Sequence, residues 1–300
     1  MQFVALASGL LFASSLSLTF TDAAWAASRD NAAVTRSAAA LNTAKQTLSY
    51  GQGKLQKVDF WAATRPDAPL VIYVHGGGWK RGDKQMMDSS PKLDHWRTLG
   101  YAVASVNYRL VPENTVEQQA ADVSAAVALL KERASSLGID PRRIALVGHS
   151  AGAHLVALVG TDPTYFRAEG LSPGDVSGIV ALDGAAYDVA DQLDDGRRLM
   201  HDTYVQAFST DPARQKRLSP TLQAALPNAP EFLILHVQRA DGTAQSRALG
   251  EALTRAGTPA RVQGFKGRGL KGHMEINRKL GEANYPATPV VDAFFARIFR

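Results

Sequence analysis

The stretch Gly148-His149-Ser150-Ala151-Gly152 constrains this chain more than any other. Residues 144–147, Ile-Ala-Leu-Val, form a short apolar, partly β-branched run that reads as a buried strand. Residues 153–159 then continue as a helix-compatible apolar segment. A serine on so sharp a strand-to-helix turn needs small residues two places away on each side, because the backbone there is strained and tightly packed. The turn projects the hydroxyl outward, and the helix N-terminus behind it favours developing negative charge. Ser150 is therefore the candidate nucleophile. A chance Gly-x-Ser-x-Gly in a loop would lack the strand before it and the helix after it.

A second motif lies upstream. Residues 70–74, Leu-Val-Ile-Tyr-Val, form another buried-strand run ending in His75-Gly76-Gly77-Gly78-Trp79. Three consecutive glycines cost chain entropy, so this loop is expected to bring backbone N–H groups close to something. In acyl transfer that something is the oxyanion of a tetrahedral intermediate. Gly76 and Gly77 N–H, with Ala151 N–H from the serine turn, are the expected donors. The alternative is a flexible glycine turn with no ligand.

Strand-like and helical segments alternate along the chain: 70–74, a helix near Leu93, 103–106, a helix over 116–133, 144–147, and a helix over 154–159. This βαβ rhythm predicts an α/β fold with a mostly parallel, doubly wound sheet covered by helices on both faces. Between Tyr187 and Pro230 the rhythm stops, and a polar stretch rich in Asp, Arg and Gln intervenes. An insertion after a sheet strand at the active-site edge is expected to form a small cap. Trp79, Tyr187 and Tyr204 are candidate substrate-binding residues, joined by Met200 and Phe208, although such side chains are more often core.

The order His-Gly-Gly-Gly-Trp, then Tyr108-Arg109-Leu110-Val111-Pro112-Glu113, then Gly-His-Ser-Ala-Gly resembles the α/β-hydrolase serine esterases of the hormone-sensitive-lipase-like branch. Within it, the bacterial carboxylesterases, including feruloyl-esterase-like and arylformamidase-like groups, are the most similar. The resemblance runs from about Leu55 to the C-terminus and departs at Val111, where that branch usually has Ala. It implies the α/β-hydrolase fold and a triad in the chain order Ser, acid, His.

Seven histidines are available as base. His75 and His149 lie inside the motifs, His154 one turn beyond Ser150, and His95 on an expected surface helix. His201 lies in the polar insertion and His236 within an apolar strand. His273 remains, expected on a loop above the last strand, where Nε2 can reach the serine hydroxyl. For the acid, Asp241 follows the strand near 232–237 and Asp183 ends the strand near 178–182. The family pattern places the acid in the later loop and favours Asp241, with Asp183 as the alternative. Glu275 would have to fold back on its own loop.

The sequence of 300 residues, 45% of them hydrophobic, can bury a full core. Residues 1–26 read as a signal peptide: an apolar run over 3–18 leads to Ala24-Trp25-Ala26, a small-x-small cleavage pattern. Its n-region lacks Lys and Arg, and a retained apolar tail is the rival reading. An exported protein, periplasmic or secreted, with no stable membrane anchor after cleavage, is expected. Residues 27–54 are expected to be a loosely packed extension, and 55–300 the hydrolase domain with its cap at about 187–230. The absence of cysteine excludes a thiol nucleophile and thiolate metal sites. No His/Asp/Glu spacing suggests a metal, and no cofactor is expected. Loss of the leader, which holds Asp22 and neither Lys nor Arg, takes the net charge from +5 to +6. The basic residues are scattered among acids, which argues against nucleic-acid binding. Nothing in the sequence sets the oligomeric state.

The expected function is hydrolysis of small to medium carboxylic esters through an acyl-enzyme intermediate, with Ser150, His273 and Asp241 as triad. A second reading keeps the machinery and changes the bond to that of N-formyl aromatic amines. The expected export argues against it. A third is a catalytically idle fold used for binding, against which the intact serine, histidine and glycine loop speak.

Overall fold

Alternation within the apolar runs decides the architecture. Leu70, Ile72 and Val74 enter one buried cluster, while Val71 and Tyr73 enter another. A strand buried on both faces reads as continuous apolar sequence, and a pleat of period two sends successive side chains to opposite layers. A computed structural model describes residues 44–194 and 198–300. The expected signal peptide, and the extension as far as residue 43, lie outside the described residues.

The strands are β1 (Gln46–Ser49), β2 (Lys57–Trp61), β3 (Ala68–Val74), β4 (Ala102–Val106), β5 (Ile139–His149), β6 (Gly178–Leu182), β7 (Phe232–Gln238) and β8 (Ala260–Arg268). They form one eight-stranded sheet in the order β1-β2-β4-β3-β5-β6-β7-β8. β1 pairs antiparallel with β2, and β2 with β4, while the remaining pairs are parallel. The expected loose extension over 27–54 therefore contains a sheet strand, β1. Thr47 donates its hydroxyl hydrogen bond to Asp59 of β2 at 2.6 Å.

The helices that position the core and the site are α1 (Pro91–Thr98), α2 (Val116–Glu132), α3 (Ala151–Thr161), α4 (Val189–Asp194), α5 (Arg198–Phe208), α6 (Pro212–Arg217), α7 (Pro220–Gln223), α8 (Ala240–Arg255), α9 (Gly269–Lys279) and α10 (Thr288–Ile298). α2 begins with a capping box between Thr115 and Gln118. Its residues Val116, Ala120, Val123, Val127 and Leu130 join the layer built with α3. Leu93 and Trp96 of α1, Ile276 of α9, and Val291, Phe294 and Phe295 of α10 fill the opposite layer. α3 is buried along its whole length, which explains why its sequence is apolar all round. The chain runs from β3 to β4 on one side and returns to β5 on the other. The carboxyl ends of β3 and β5 thus flank the switch point where such sheets bind ligands.

Candidate active site

Ser150 closes β5 and opens α3 with φ 56° and ψ −119°, a conformation that non-glycine residues rarely adopt. Its own N–H donates to Leu182 O at 3.0 Å, and its carbonyl accepts from His154 N at 3.1 Å. The two flanking glycines are sterically required. A Cβ on Gly148 would collide with the Gly152 carbonyl, and one on Gly152 with the carbonyls of Val74 and His75. The elbow is thereby pressed against the end of β3, which continues into the glycine loop.

The loop lies against the serine. A Cβ on Gly76 would fall 3.0 Å from Ser150 Cβ and 2.8 Å from His149 O. Gly77 has φ +129°, outside the usual range of a side-chain-bearing residue. The loop's carbonyls are clamped from outside. Tyr108 Oη donates to His75 O at 2.9 Å, and Gln119 Nε2 donates to Trp79 O at 2.7 Å. Arg109 grips buried Asp122, with Nη2 2.8 Å from Oδ1 and Nε 2.9 Å from Oδ2. Tyr108 and Gln119 thus brace the glycine loop, and Arg109 ties the Tyr108 segment to α2 through Asp122, contacts invisible in the sequence because Gln119 and Asp122 come from a helix.

His273 completes a chain of contacts. Its Nε2 lies 3.0 Å from Ser150 Oγ, and its Nδ1 lies 2.6 Å from Asp183 Oδ2. The carboxylate fixes the tautomer: Nδ1 carries the proton and donates it to Asp183, leaving Nε2 to accept from the serine hydroxyl. His273 sits in the second turn of α9 rather than on a loop, because the helix starts directly after β8. Asp183 also accepts the Val237 N–H at 3.0 Å through Oδ1. Burial pushes its carboxyl up, but the hydrogen bond from His273, the charge of Arg239 and the Val237 N–H outweigh this and hold it below the usual carboxylate range.

The carboxylate at His273 is therefore Asp183, not the favoured Asp241. Asp241 lies in the first turn of α8, paired with Arg239 Nη1 at 3.3 Å. β7 runs to Gln238 and α8 starts at Ala240, so the turn between them has too little chain to carry Asp241 across to His273.

His149 and His154 are buried, neutral supports. His149 donates from Nε2 to His273 O at 2.9 Å, and its ring lies 4.5 Å from the His273 ring. Burial, reinforced by the nearby His273, lowers its pKa to about 3. Trp79 Nε1 donates to His154 Nδ1 at 3.3 Å, which leaves His154 Nε2 to donate to Leu218 O at 2.8 Å.

Trp79, Tyr187 and Tyr204 are buried and belong to the main hydrophobic cluster. Trp79 packs on Phe208 at 4.7 Å, on His154 at 5.4 Å and on Tyr204 at 5.9 Å. This aromatic cluster fastens α5 of the insertion to both the glycine loop and α3. Arg214 adds a two-pronged grip on Glu117 of α2, at 2.8 and 2.7 Å. Thr203 and half-exposed Met200 instead face the loop: a Cβ on Gly78 would meet Thr203 Cγ2 at 3.1 Å and Met200 Cε at 3.9 Å. Among the described residues, no cluster of His, Asp or Glu could hold a metal ion, and no helix is long and apolar enough to cross a membrane.

A model of the BD-FAE family matches residues 60–253. The chain is 31% identical over 205 residues to LipM of Mycobacterium tuberculosis, described as a probable carboxylic ester hydrolase, covering 63% of this chain and 46% of that protein. It is 32% identical over 231 residues to esterase LipQ of the same organism, covering 70% of this chain and 52% of that one. The chain spans about half the length of these curated relatives. Esterase B of Lactobacillus rhamnosis has the same fold, with a TM-score of 0.70 over 92% of both chains at 21% identity. With the sheet order and the family match in agreement, the chain belongs to the BD-FAE family and has the α/β-hydrolase fold.

Proposed function

We propose that this protein hydrolyses carboxylic esters through a serine acyl-enzyme, with Ser150, His273 and Asp183 as triad. The observation that carries the reading is the unbroken chain from Ser150 Oγ to His273 Nε2 at 3.0 Å and from His273 Nδ1 to Asp183 at 2.6 Å. Ser150 Oγ attacks the ester carbonyl carbon as its proton passes to His273 Nε2. The carbonyl π pair moves onto oxygen, where Gly76, Gly77 and Ala151 N–H are the proposed donors. Collapse expels the alkoxide, which takes the proton from Nε2. Water then repeats the cycle, releasing the acid and restoring the serine. Asp183 keeps Nδ1 protonated throughout and stabilises the transient imidazolium.

The names of LipM, LipQ and esterase B support an ester rather than an amide as the scissile bond. The insertion over 187–230 is proposed to act as a cap, with Met200 and Thr203 beside the glycine loop limiting substrate size. Export by cleavage of residues 1–26 is likewise proposed, on the apolar run and the small-x-small pattern. Hydrolysis of a short p-nitrophenyl ester, compared with that of an N-formyl anilide, tests the bond type. A faster anilide reaction would overturn the ester reading, and failure to label with a fluorophosphonate probe would leave a binding fold.

A further inference from the structure

The short turn between β7 and α8 brings a buried cation onto the proposed triad acid. Arg239 Nε lies 3.0 Å from Asp183 Oδ2, the same oxygen that receives His273 Nδ1. Its Nη2 donates to Gly184 O at 3.0 Å, and its Nη1 pairs with Asp241 Oδ2 at 3.3 Å. The guanidinium packs closely against the first turn of α8, where a Cβ on Gly242 would fall 2.7 Å from Nη2 and 3.2 Å from Cζ. The Arg239 side chain is 13% exposed, Asp241 6% and Asp183 not at all, so these charges meet with little solvent screening.

We propose that Arg239 is a positioning residue: it locks the Asp183 carboxylate in place for His273 and, with Asp241 as counter-charge, sets how strongly that carboxylate holds the imidazolium. This rests on the reading of Asp183 as the acid of the triad. A fully buried carboxylate with His273 as its single charged partner would bind the imidazolium tightly and keep the base protonated to higher pH. Arg239 offsets part of the Asp183 charge, and Asp241 offsets part of Arg239. Asp241, favoured by sequence as the acid, thereby acts one step further out.

Among the described residues, the ionisable groups around this point come from several elements. They are His149 from β5, Tyr187 from the chain after β6, Arg239 and Asp241 from the β7–α8 turn, and Tyr285 from the chain after α9. Lys92 of α1 reaches the same region through its hydrogen bond to Asn277 O of α9, at 2.5 Å. Arg239 is the cation among them that contacts the Asp183 carboxylate.

The test is the pH profile of kcat/KM for a short p-nitrophenyl ester, read at the isosbestic wavelength of the product. In Arg239→Gln the acid limb should move up by about one pH unit or more, and the plateau kcat should fall by about tenfold. Arg239→Lys should return the limb towards its wild-type position by restoring the charge, without restoring the full kcat. Asp241→Asn should move the limb the opposite way, to lower pH, and it remains readable if Arg239→Gln fails to fold. Limbs unmoved in both Arg239→Gln and Asp241→Asn would overturn the proposal, as would an Arg239→Gln that loses kcat with its limb in place. Asp183→Asn separates the two layers. If it keeps wild-type kcat, the triad reading itself fails and this inference falls with it. If it is inactive while the limbs stay put, the inference fails alone.

Discussion

Two aspartates compete for one histidine, and their difference is mostly distance along the chain. Asp183 is the first residue past β6, with no turn of helix between it and the sheet edge, so its carboxylate points across to α9. Asp183→Asn should lower kcat on the order of 10⁴-fold, because an Asn amide can donate where Nδ1–H needs an acceptor and so favours the wrong tautomer. Asp241→Asn should lose far less. Steady-state kinetics of the pair decides between them, and the reverse ranking would restore Asp241 as the acid. Ser150→Ala should remove about 10⁴-fold or more of kcat with an unchanged melting temperature, and turnover within tenfold of wild type would exclude Ser150 as the nucleophile.

Elements act here as clamps on loops. The glycine loop takes its shape from β3 beneath it, Tyr108 beside it, α2 through Gln119, and α5 through the aromatic cluster around Trp79. Phe208 is fully buried and touches both Trp79 and His154, so with Tyr204 it anchors α5 to the body. Phe208→Ala should cost about 3–5 kcal/mol of stability, measured by urea unfolding, through lost burial and a residual cavity. The same change should reduce kcat/KM, because Trp79 loses the packing that fixes its backbone next to Gly78. A variant that melts early yet keeps full kcat/KM would show the cap and the glycine loop to be independent. The insertion was legible as a break in the βαβ rhythm. Its docking was not, since Arg214 and Glu117 meet across 97 positions of sequence.

At the scale of the whole molecule, burial of polar groups sets the response to acid. His75, His149 and His154 are neutral in the fold, with pKa values lowered to about 4, about 3 and about 4, burial being the largest cause for each. The unfolded chain protonates these side chains near about 6.5, so below that pH it binds protons that the fold refuses. Each histidine should therefore remove about 1.4 kcal/mol of stability per pH unit between about pH 6.5 and its folded pKa. Asp183, held low, contributes stability above the ordinary Asp pKa that is lost as pH falls through its own depressed value. Melting temperature should be level above about pH 7 and drop steeply towards about pH 5. A curve flat to about pH 4.5 would refute the burial of these imidazoles as neutral species.

Local chemistry was written in the sequence wherever a conformation demands a residue type. The Ser150 elbow needs Gly148 and Gly152 for contact with the end of β3, and the glycine loop needs residues without Cβ beside Ser150. Strands β3, β4 and β6, and β5 from Ile144 onward, were visible because burial on both faces makes these stretches mostly apolar. β1 and β2 were hidden, since edge pairing leaves β1 largely exposed and its sequence polar. The burial of Trp79, Tyr187 and Tyr204 was equally hidden, because an aromatic side chain looks the same whether it lines a pocket or fills a core. The choice of Asp183 over Asp241 belonged to tertiary structure alone. Both carboxylates follow neighbouring parallel strands, and Leu182 pairs with Leu235 in register, so the sequence presents two nearly equivalent sites. What separates them is where each backbone goes next. Asp183 stops at the sheet edge facing His273, while the chain past β7 turns at Arg239 into α8 and carries Asp241 away.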